Sequence, residues 1–303
     1  MVNKRTRRFG VFPSANEDAK AAQRHVDTPQ CLSSSYRLAF QDQDFLLRPE
    51  LRPVRLQLEL LKPELALQEQ QIESTIVIYG SARTLDSEAA AVRLEKVLEG
   101  LKKNPDDPVL QQELVRARTA VANSRYYDEA RKLGRLISEN TEKYNHVVIT
   151  GGGFGIMGAA NQGAHDVGAK SIGMNIVLPF EQEPNPYITP ELSFQFHYFA
   201  IRKMHLLMRA KALVAFPGGF GTMDELFEAL TLIQTHKVKP IPVLLFGRRF
   251  WQRVINFEAL VEEGTISPED LNLFQYVSTA EQAWEIIASC NHLPVNGVKG
   301  QQE

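Results

Sequence analysis

From Thr75 to Ser289 the chain alternates between short, mostly apolar runs and longer stretches in which apolar residues return every third or fourth position. The short runs read as strands over Ile76–Tyr79, His146–Thr150, Ser171–Val177, Phe194–Phe199, Ala212–Phe216, Pro242–Phe246 and Phe274–Ser278. Helical spacing fills the gaps. Leu94, Val97, Leu98 and Leu101 mark one helix. A second stretch runs from about Val109 to Ala122, and a third over Arg125–Asn140 with Tyr127, Ala130, Leu133 and Ile137 on one face. Further helices are expected from about Ile156 to Val167, over Ala200–Ala210, after Gly221 with Leu226, Phe227, Leu230 and Ile233 aligned, over Phe250–Glu262 and over Ala280–Ser289. Apolar strands alternating with amphipathic helices predict an α/β fold: a Rossmann-like, doubly wound parallel sheet with helices on both faces. In such sheets ligands sit beyond the carboxyl ends of the strands, at the crevice where strand order reverses.

The first 73 residues differ. They are polar and punctuated by Pro29, Pro49, Pro53 and Pro63, with short helices expected over Arg55–Leu61 and Pro63–Glu73. The chain thus divides into a mostly helical, partly disordered N-terminal arm (1–73), a nucleotide-binding catalytic domain (74–290) and a loose tail (291–303). A length of 303 residues and 44% hydrophobic content suit one large domain or two small ones. With 34 basic and 36 acidic residues the net charge is −2, so neither nucleic acid nor an anionic membrane attracts the chain in bulk. The basic cluster Lys4, Arg5, Arg7 and Arg8 lacks a following apolar region and reads as a solvated terminus, not a signal peptide. No apolar run approaches the roughly 20 residues that span a bilayer. Cys31 and Cys290 are too few for a disulfide framework, which makes the cytoplasm the expected compartment. The sequence offers no His/Asp/Glu cluster with ligand spacing, and neither metal nor cofactor is expected.

The chemistry concentrates in two glycine-rich turns. The run ALVAFPGGFGTMDELFEALTL (212–232) reads as strand, turn and helix, an arrangement that aims backbone N–H groups and a positive helix end at one point and suits a phosphate. Within it Thr222-x-x-Glu225 has the spacing of a capping box, which places Asp224 and Glu225 in the helix's first turn. The earlier turn contains Gly153-x-Gly155-x-x-Gly158, a dinucleotide fingerprint by letter, but the next strand ends at Asn175–Leu178 without the acid that fingerprint needs. Arg202 and Lys203 fall near a helix start, where cations oppose the helix dipole. Such a conflict marks either a functional site or a solvated pair on a surface turn.

Arg202-Lys203, the fifteen residues from Arg202 to Pro217, and the stretch PGGFGTMDE (217–225) resemble the LOG family, the cytokinin riboside 5′-monophosphate phosphoribohydrolases, whose pattern is PGGxGTxxE with an upstream Arg-Lys. GGGFGIMGAANQGA (151–164) is similar to that family's first glycine turn, and Gly80-Ser81-Ala82-Arg83 to its opening strand end. The loop Pro179–Tyr187 and the run Phe196–Phe199 resemble longer bacterial members, and the resemblance covers about Thr75–Ser289. A label often attached to such proteins, lysine decarboxylase, has no support here: His236-Lys237 is a bare dipeptide with nothing like a pyridoxal phosphate site around it.

The resemblance implies hydrolysis of the N-glycosidic bond of AMP or an N6-modified AMP to free base and ribose 5-phosphate. It implies Arg202 and Glu225 as the catalytic pair and Lys203 as a substrate contact. Gly218, Gly219, Gly221 and Thr222 would hold phosphate. Asp224 and Thr231 would line the nucleotide site, Gly152 and Gly153 would border it, and Glu181 would supply an acid from the preceding loop. It also implies a homodimer or larger homo-oligomer with the site at the subunit interface. Longer members often carry Pro and Glu where Phe154 and Gly158 stand, which leaves base selectivity open. Glycosidic cleavage passes through an oxocarbenium-like state. Glu225, near a helix N-terminus and Arg202, is therefore expected to have a lowered pKa and to act ionised. The alternative is a non-catalytic nucleotide or molybdenum-cofactor carrier of the same fold, which has no need of the Arg202–Glu225 pair. A dehydrogenase ranks third.

Overall fold

The structure is a computed structural model and describes residues 13–23, 26–141, 145–179 and 183–290. The basic cluster at residues 4–8 and the tail 291–303 lie outside the described residues. The chain forms two compact units, Met1–Leu58 and Glu59–Glu303, with the division falling inside the Arg52–Glu69 helix. The first unit is a series of short helices, among them Ala15–Ala21, whose Ser14 and Glu17 form a capping box. Arg55 Nη1 donates to the carbonyls of Leu46 and Arg48, both at 2.7 Å.

The second unit is built on a seven-stranded sheet: β1 (Ser74–Tyr79), β2 (His146–Thr150), β3 (Ser171–Ile176), β4 (Ser193–Phe196), β5 (Ala210–Ala215), β6 (Val243–Phe246) and β7 (Gln275–Val277). The order is β4-β3-β2-β1-β5-β6-β7, and every neighbouring pair is parallel. The chain winds outward from β1 to β4, returns to the other side of β1, and winds outward again. The order therefore reverses between β1 and β5, the doubly wound arrangement expected from the alternating runs.

Strand alternation sends successive side chains to opposite faces, and two cores result. Ile76, Ile78, Val148, Val214 and Phe246 pack with the helices Pro108–Glu139, Ile156–His165 and Ala280–Cys290. Val77, Tyr79, Ile149, Leu213 and Leu245 pack with Leu67, Leu206, Leu226 and Trp251 from the helices on the other face. β1 is buried along its whole length, as a central strand covered on both faces must be.

Three expected boundaries are corrected. The stretches 109–122 and 125–140 are one helix, Pro108–Glu139, because Ser124 is no break: its hydroxyl donates to Val121 O at 2.8 Å. The expected helices on either side of Lys62 are also one, Arg52–Glu69, with Pro63 inside it. A proline cannot donate to the carbonyl four residues back, here Glu59; that carbonyl lies 3.3 Å from His205 Nε2 instead. The span 250–262 is two helices, Arg248–Val254 and Phe257–Glu262, since Asn256 caps the second by accepting from Ala259 N–H at 3.2 Å.

The helices Pro108–Glu139 and Ile156–His165 approach backbone to backbone. A Cβ at Gly134 would overlap the Ala160 carbonyl, and one at Gly163 the Arg131 carbonyl. Tyr127 Oη donates to Gln162 Oε1 at 2.9 Å across the same crossing. This contact fixes the helix that begins at the first glycine turn. Gly163→Ala forces rigid backbone apart and is expected to cost about 3 kcal/mol; urea unfolding of the variant beside the unchanged protein measures it.

Candidate functional site

The loops after β1, β2 and β5 meet at the carboxyl ends of the strands, where the order reverses. Ser81 ties them together. Its N–H donates to Pro217 O, and its own carbonyl accepts from Ile156 N–H, both at 3.1 Å. Gly155, at φ +63°, leads into the Ile156–His165 helix, and a Cβ there would strike the Ser81 carbonyl. A buried polar network holds the rest of the first turn. Thr150 Oγ1 accepts from Gly152 N–H at 3.0 Å and donates to Asn161 Oδ1 at 2.8 Å. Asn185 Nδ2 lies 3.1 Å from Gly152 O, 3.0 Å from Gly153 O and 3.0 Å from Asn161 Oδ1.

The second turn departs from expectation. The helix is Phe220–Gln234, with Gly219 as N-cap and no side-chain cap. Its first hydrogen bond runs from Met223 N–H to Gly219 O at 3.0 Å. Thr222 and Glu225 are therefore inside the helix and form no capping box, and Asp224 and Glu225 stand in the second turn. The Thr222 side chain instead lies against Gly218, in the space a Cβ there would need. Such a helix start leaves first-turn N–H groups without intrahelical partners. Nothing lies within 4 Å of a Cβ built at Gly219 or Gly221.

Freed from capping, Glu225 pairs with Arg202. Nη2 donates to Oε1 at 2.7 Å, and the side chains are only 10% and 11% exposed. Beside them Lys203 Nζ lies 2.6 Å from Asp224 Oδ2 and 3.2 Å from Glu228 Oε2. The Arg-Lys dipeptide of the Phe199–Met208 helix thus faces the Asp-Glu dipeptide of the Phe220–Gln234 helix as two adjacent ion pairs, the Arg202–Glu225 pair buried and Asp224 of the other exposed. The Arg202 guanidinium stacks over Phe199, 5.1 Å from the ring centroid. Its Nη1 is 3.6 Å from a Cβ built at Gly151, so it also faces the first glycine turn. Arg202 Nε is buried without a protein acceptor among the described residues.

The expected lowering of the Glu225 pKa is reversed: burial pushes it up to about 7 against the opposing pull of Arg202. Tyr79, at the end of β1, is buried near the pair, and burial followed by the Glu225 charge holds its hydroxyl well above the usual phenol range. It is a neutral group there.

Of the residues expected at the site, Gly152 and Gly153 form the first turn, and Gly218, Gly219, Gly221 and Thr222 the second; Arg202, Lys203, Asp224 and Glu225 stand together beside them. Thr231 is exposed and spends its hydroxyl on Phe227 O at 2.7 Å. It continues the helix stripe of Asp224 and Glu228, about 9 Å along the axis from Glu225. Glu181 lies outside the described residues. Sequence reasoning did not single out Asn161 and Asn185. Both carried a signal: an amide pair, Asn161-Gln162, in a helix of small apolar residues, and an asparagine between Pro184 and Pro186. Among the described residues no group of three or more His, Cys, Asp or Glu side chains could hold a metal ion, and no helix is long and apolar enough to cross a membrane.

Fold and site together define a doubly wound α/β protein with two glycine-rich turns and a buried ion pair at its switch point. Residues 157–287 match the family model described as "Possible lysine decarboxylase". The chain is 31% identical over 164 residues to cytokinin riboside 5′-monophosphate phosphoribohydrolase LOG3 of Arabidopsis thaliana, covering 52% of this chain and 73% of that protein. It is 32% identical over 170 residues to LOG4 of the same plant, covering 54% and 74%. The molybdenum cofactor carrier protein of Chlamydomonas reinhardtii aligns in structure with a TM-score of 0.42 at 19% identity, over 72% of this chain and 97% of that one. The chain belongs to the LOG family.

A raised Glu225 pKa has a sign for stability. The folded chain binds a proton that the unfolded chain, with a carboxyl pKa of about 4.3, has released. Stability from this group therefore falls as pH rises from there to about 7. Denaturant midpoints measured across that window should decline with pH, and Glu225→Gln should remove that decline.

Proposed function

We propose that this protein is a nucleoside 5′-monophosphate phosphoribohydrolase acting on AMP or N6-modified AMP, that is, cytokinin riboside monophosphate. The C1′–N bond breaks with its electron pair leaving on the base, water adds to C1′, and a proton passes to the base nitrogen. The products are free base and ribose 5-phosphate. The observation that carries this reading is the 2.7 Å Arg202–Glu225 pair buried beside the glycine-rich turns, with open space at Gly219 and Gly221. A buried carboxylate next to a phosphate repels the ligand and serves no carrier. Next to a sugar developing positive charge it stabilises the transition state. The names of the plant relatives agree with this chemistry.

In this reading the first-turn amides of the Phe220–Gln234 helix and the Thr222 hydroxyl receive the phosphate. Lys203, already facing Asp224 and Glu228, meets the polar groups of the nucleotide. Ionised Glu225 faces C1′ and either balances the sugar's charge or orients the attacking water. Arg202 holds Glu225 in place and offers its free Nε–H to the departing base or its water.

Base release from a panel of nucleoside monophosphates, followed by chromatography, tests the assignment. Glu225→Gln should lower turnover at least about a hundredfold, as loss of a positioned catalytic group does. With the unchanged protein kcat/KM should rise with pH and level off above about 7, and the Gln variant should lack that limb. A protein that binds nucleotide without releasing base is a carrier, and the proposal fails. Gly221→Ala separates cradle from fold. In the chain alone the added methyl meets nothing, and a helical Gly→Ala change stabilises by about 0.5–1 kcal/mol. In the complex it crowds the phosphate, and KM should rise about tenfold, on the order of one lost hydrogen bond to a charged group. Calorimetric melting and saturation kinetics on the same preparation read the two effects.

A further inference from the structure

The helix that presents Arg202 and Lys203 has an unusual start. Phe199–Met208 begins after Tyr198, whose side chain makes no cap hydrogen bond. Two cations in its first half oppose the dipole of a helix with no capping side chain of its own. The missing acceptor comes from elsewhere in the chain. Glu59, on the Arg52–Glu69 helix, places one carboxylate oxygen 2.8 Å from His197 N and the other 3.2 Å from Tyr198 N. An anion thus sits at the end of the helix where the dipole calls for one, on the same helix end as Arg202.

The attachment continues along the helix. His205 Nε2 meets the Glu59 carbonyl at 3.3 Å, the one that Pro63 leaves without its helical donor. Arg209, the C-cap residue, grips Glu64 with two nitrogens, Nη1 to Oε1 and Nη2 to Oε2, the latter at 2.8 Å, and its Nε donates to Ile72 O at 3.2 Å. Start, middle and end of a ten-residue helix are therefore bonded to one neighbouring segment.

We propose that Glu59 is a positioning residue for the Arg202–Glu225 pair: its carboxylate fixes the start of the helix from which Arg202 and Lys203 project. Glu59 bonds backbone of residues 197 and 198 and acts through Arg202. The proposal rests on the reading of the site given above. A guanidinium that must meet Glu225 at hydrogen-bond distance tolerates little movement of its helix, and small misplacements of catalytic groups are expensive in rate.

The test compares Glu59→Ala and Glu59→Gln with the unchanged full-length protein. Glu59→Ala should lower kcat for base release from AMP about tenfold with KM within about twofold, since ground-state binding through the Phe220–Gln234 cradle is untouched. Glu59→Gln keeps an acceptor oxygen and should recover part of that loss. Amide hydrogen exchange should show faster exchange at residues 197–203 in Glu59→Ala, with β1 and β5 unchanged. A kcat within twofold of the unchanged protein overturns the proposal and leaves Glu59 a structural cap. So does a fall in kcat with exchange accelerated throughout the sheet. Should the unchanged protein release no base from any nucleotide, the hydrolase reading fails by itself. The pH dependence of stability assigned to Glu225 then decides for Glu59: a changed slope between pH about 4.3 and about 7 in Glu59→Ala, with faster exchange confined to 197–203, sustains positioning of the pair, and an unchanged slope refutes it.

Discussion

A buried ion pair is stable only where the surrounding structure holds both charges in place, because the desolvation of each is offset only by good geometry. The Arg202–Glu225 contact imposes that demand on the whole second unit. Arg202 comes from a helix entered after the sheet's outermost strand, Glu225 from the helix that follows β5. Their meeting requires that the two helices share one face of the sheet, and the reversal of strand order between β1 and β5 provides it. The same reversal opens the crevice in which Ser81 joins the two glycine turns. Fold and site are thus consequences of one topological choice.

The pair also shows why this carboxyl group titrates near neutrality. An exposed Glu beside an Arg would be ionised well below pH 7. At one-tenth exposure, burial outweighs the attraction. Burial thus leaves a carboxyl group that titrates near neutrality at a cost in stability, a local conflict of the kind functional sites show.

Much of this was legible in the sequence. All seven strands were, because period and apolar content mark a buried parallel strand directly, and so were the two glycine turns at strand ends. The errors share a cause: each concerned a residue type whose usual local meaning was overridden by a hydrogen bond or ion pair that its letter does not show. Pro63 reads as a breaker until the donor from His205 is known. Ser124 reads as a gap until its hydroxyl turns back to Val121. Thr222 and Glu225 spell a capping box, but Gly219 starts the helix three residues earlier and Arg202 claims the carboxylate. The pKa of Glu225 was misjudged in sign because sequence reveals a charged neighbour and conceals the depth of burial. Asn185 escaped notice since its partners, Gly152, Gly153 and Asn161, lie at least two dozen residues away.

The proline inside the Arg52–Glu69 helix carries a consequence for the order in which the protein is made. A ribosome releases this helix early, yet its middle carbonyl acquires a partner only from His205, 146 residues further along the chain. Without that contact the helix has no donor for the carbonyl at its centre, since Pro63 supplies none. Among the described residues this first long helix in chain order is completed by the helix that bears the arginine of the site.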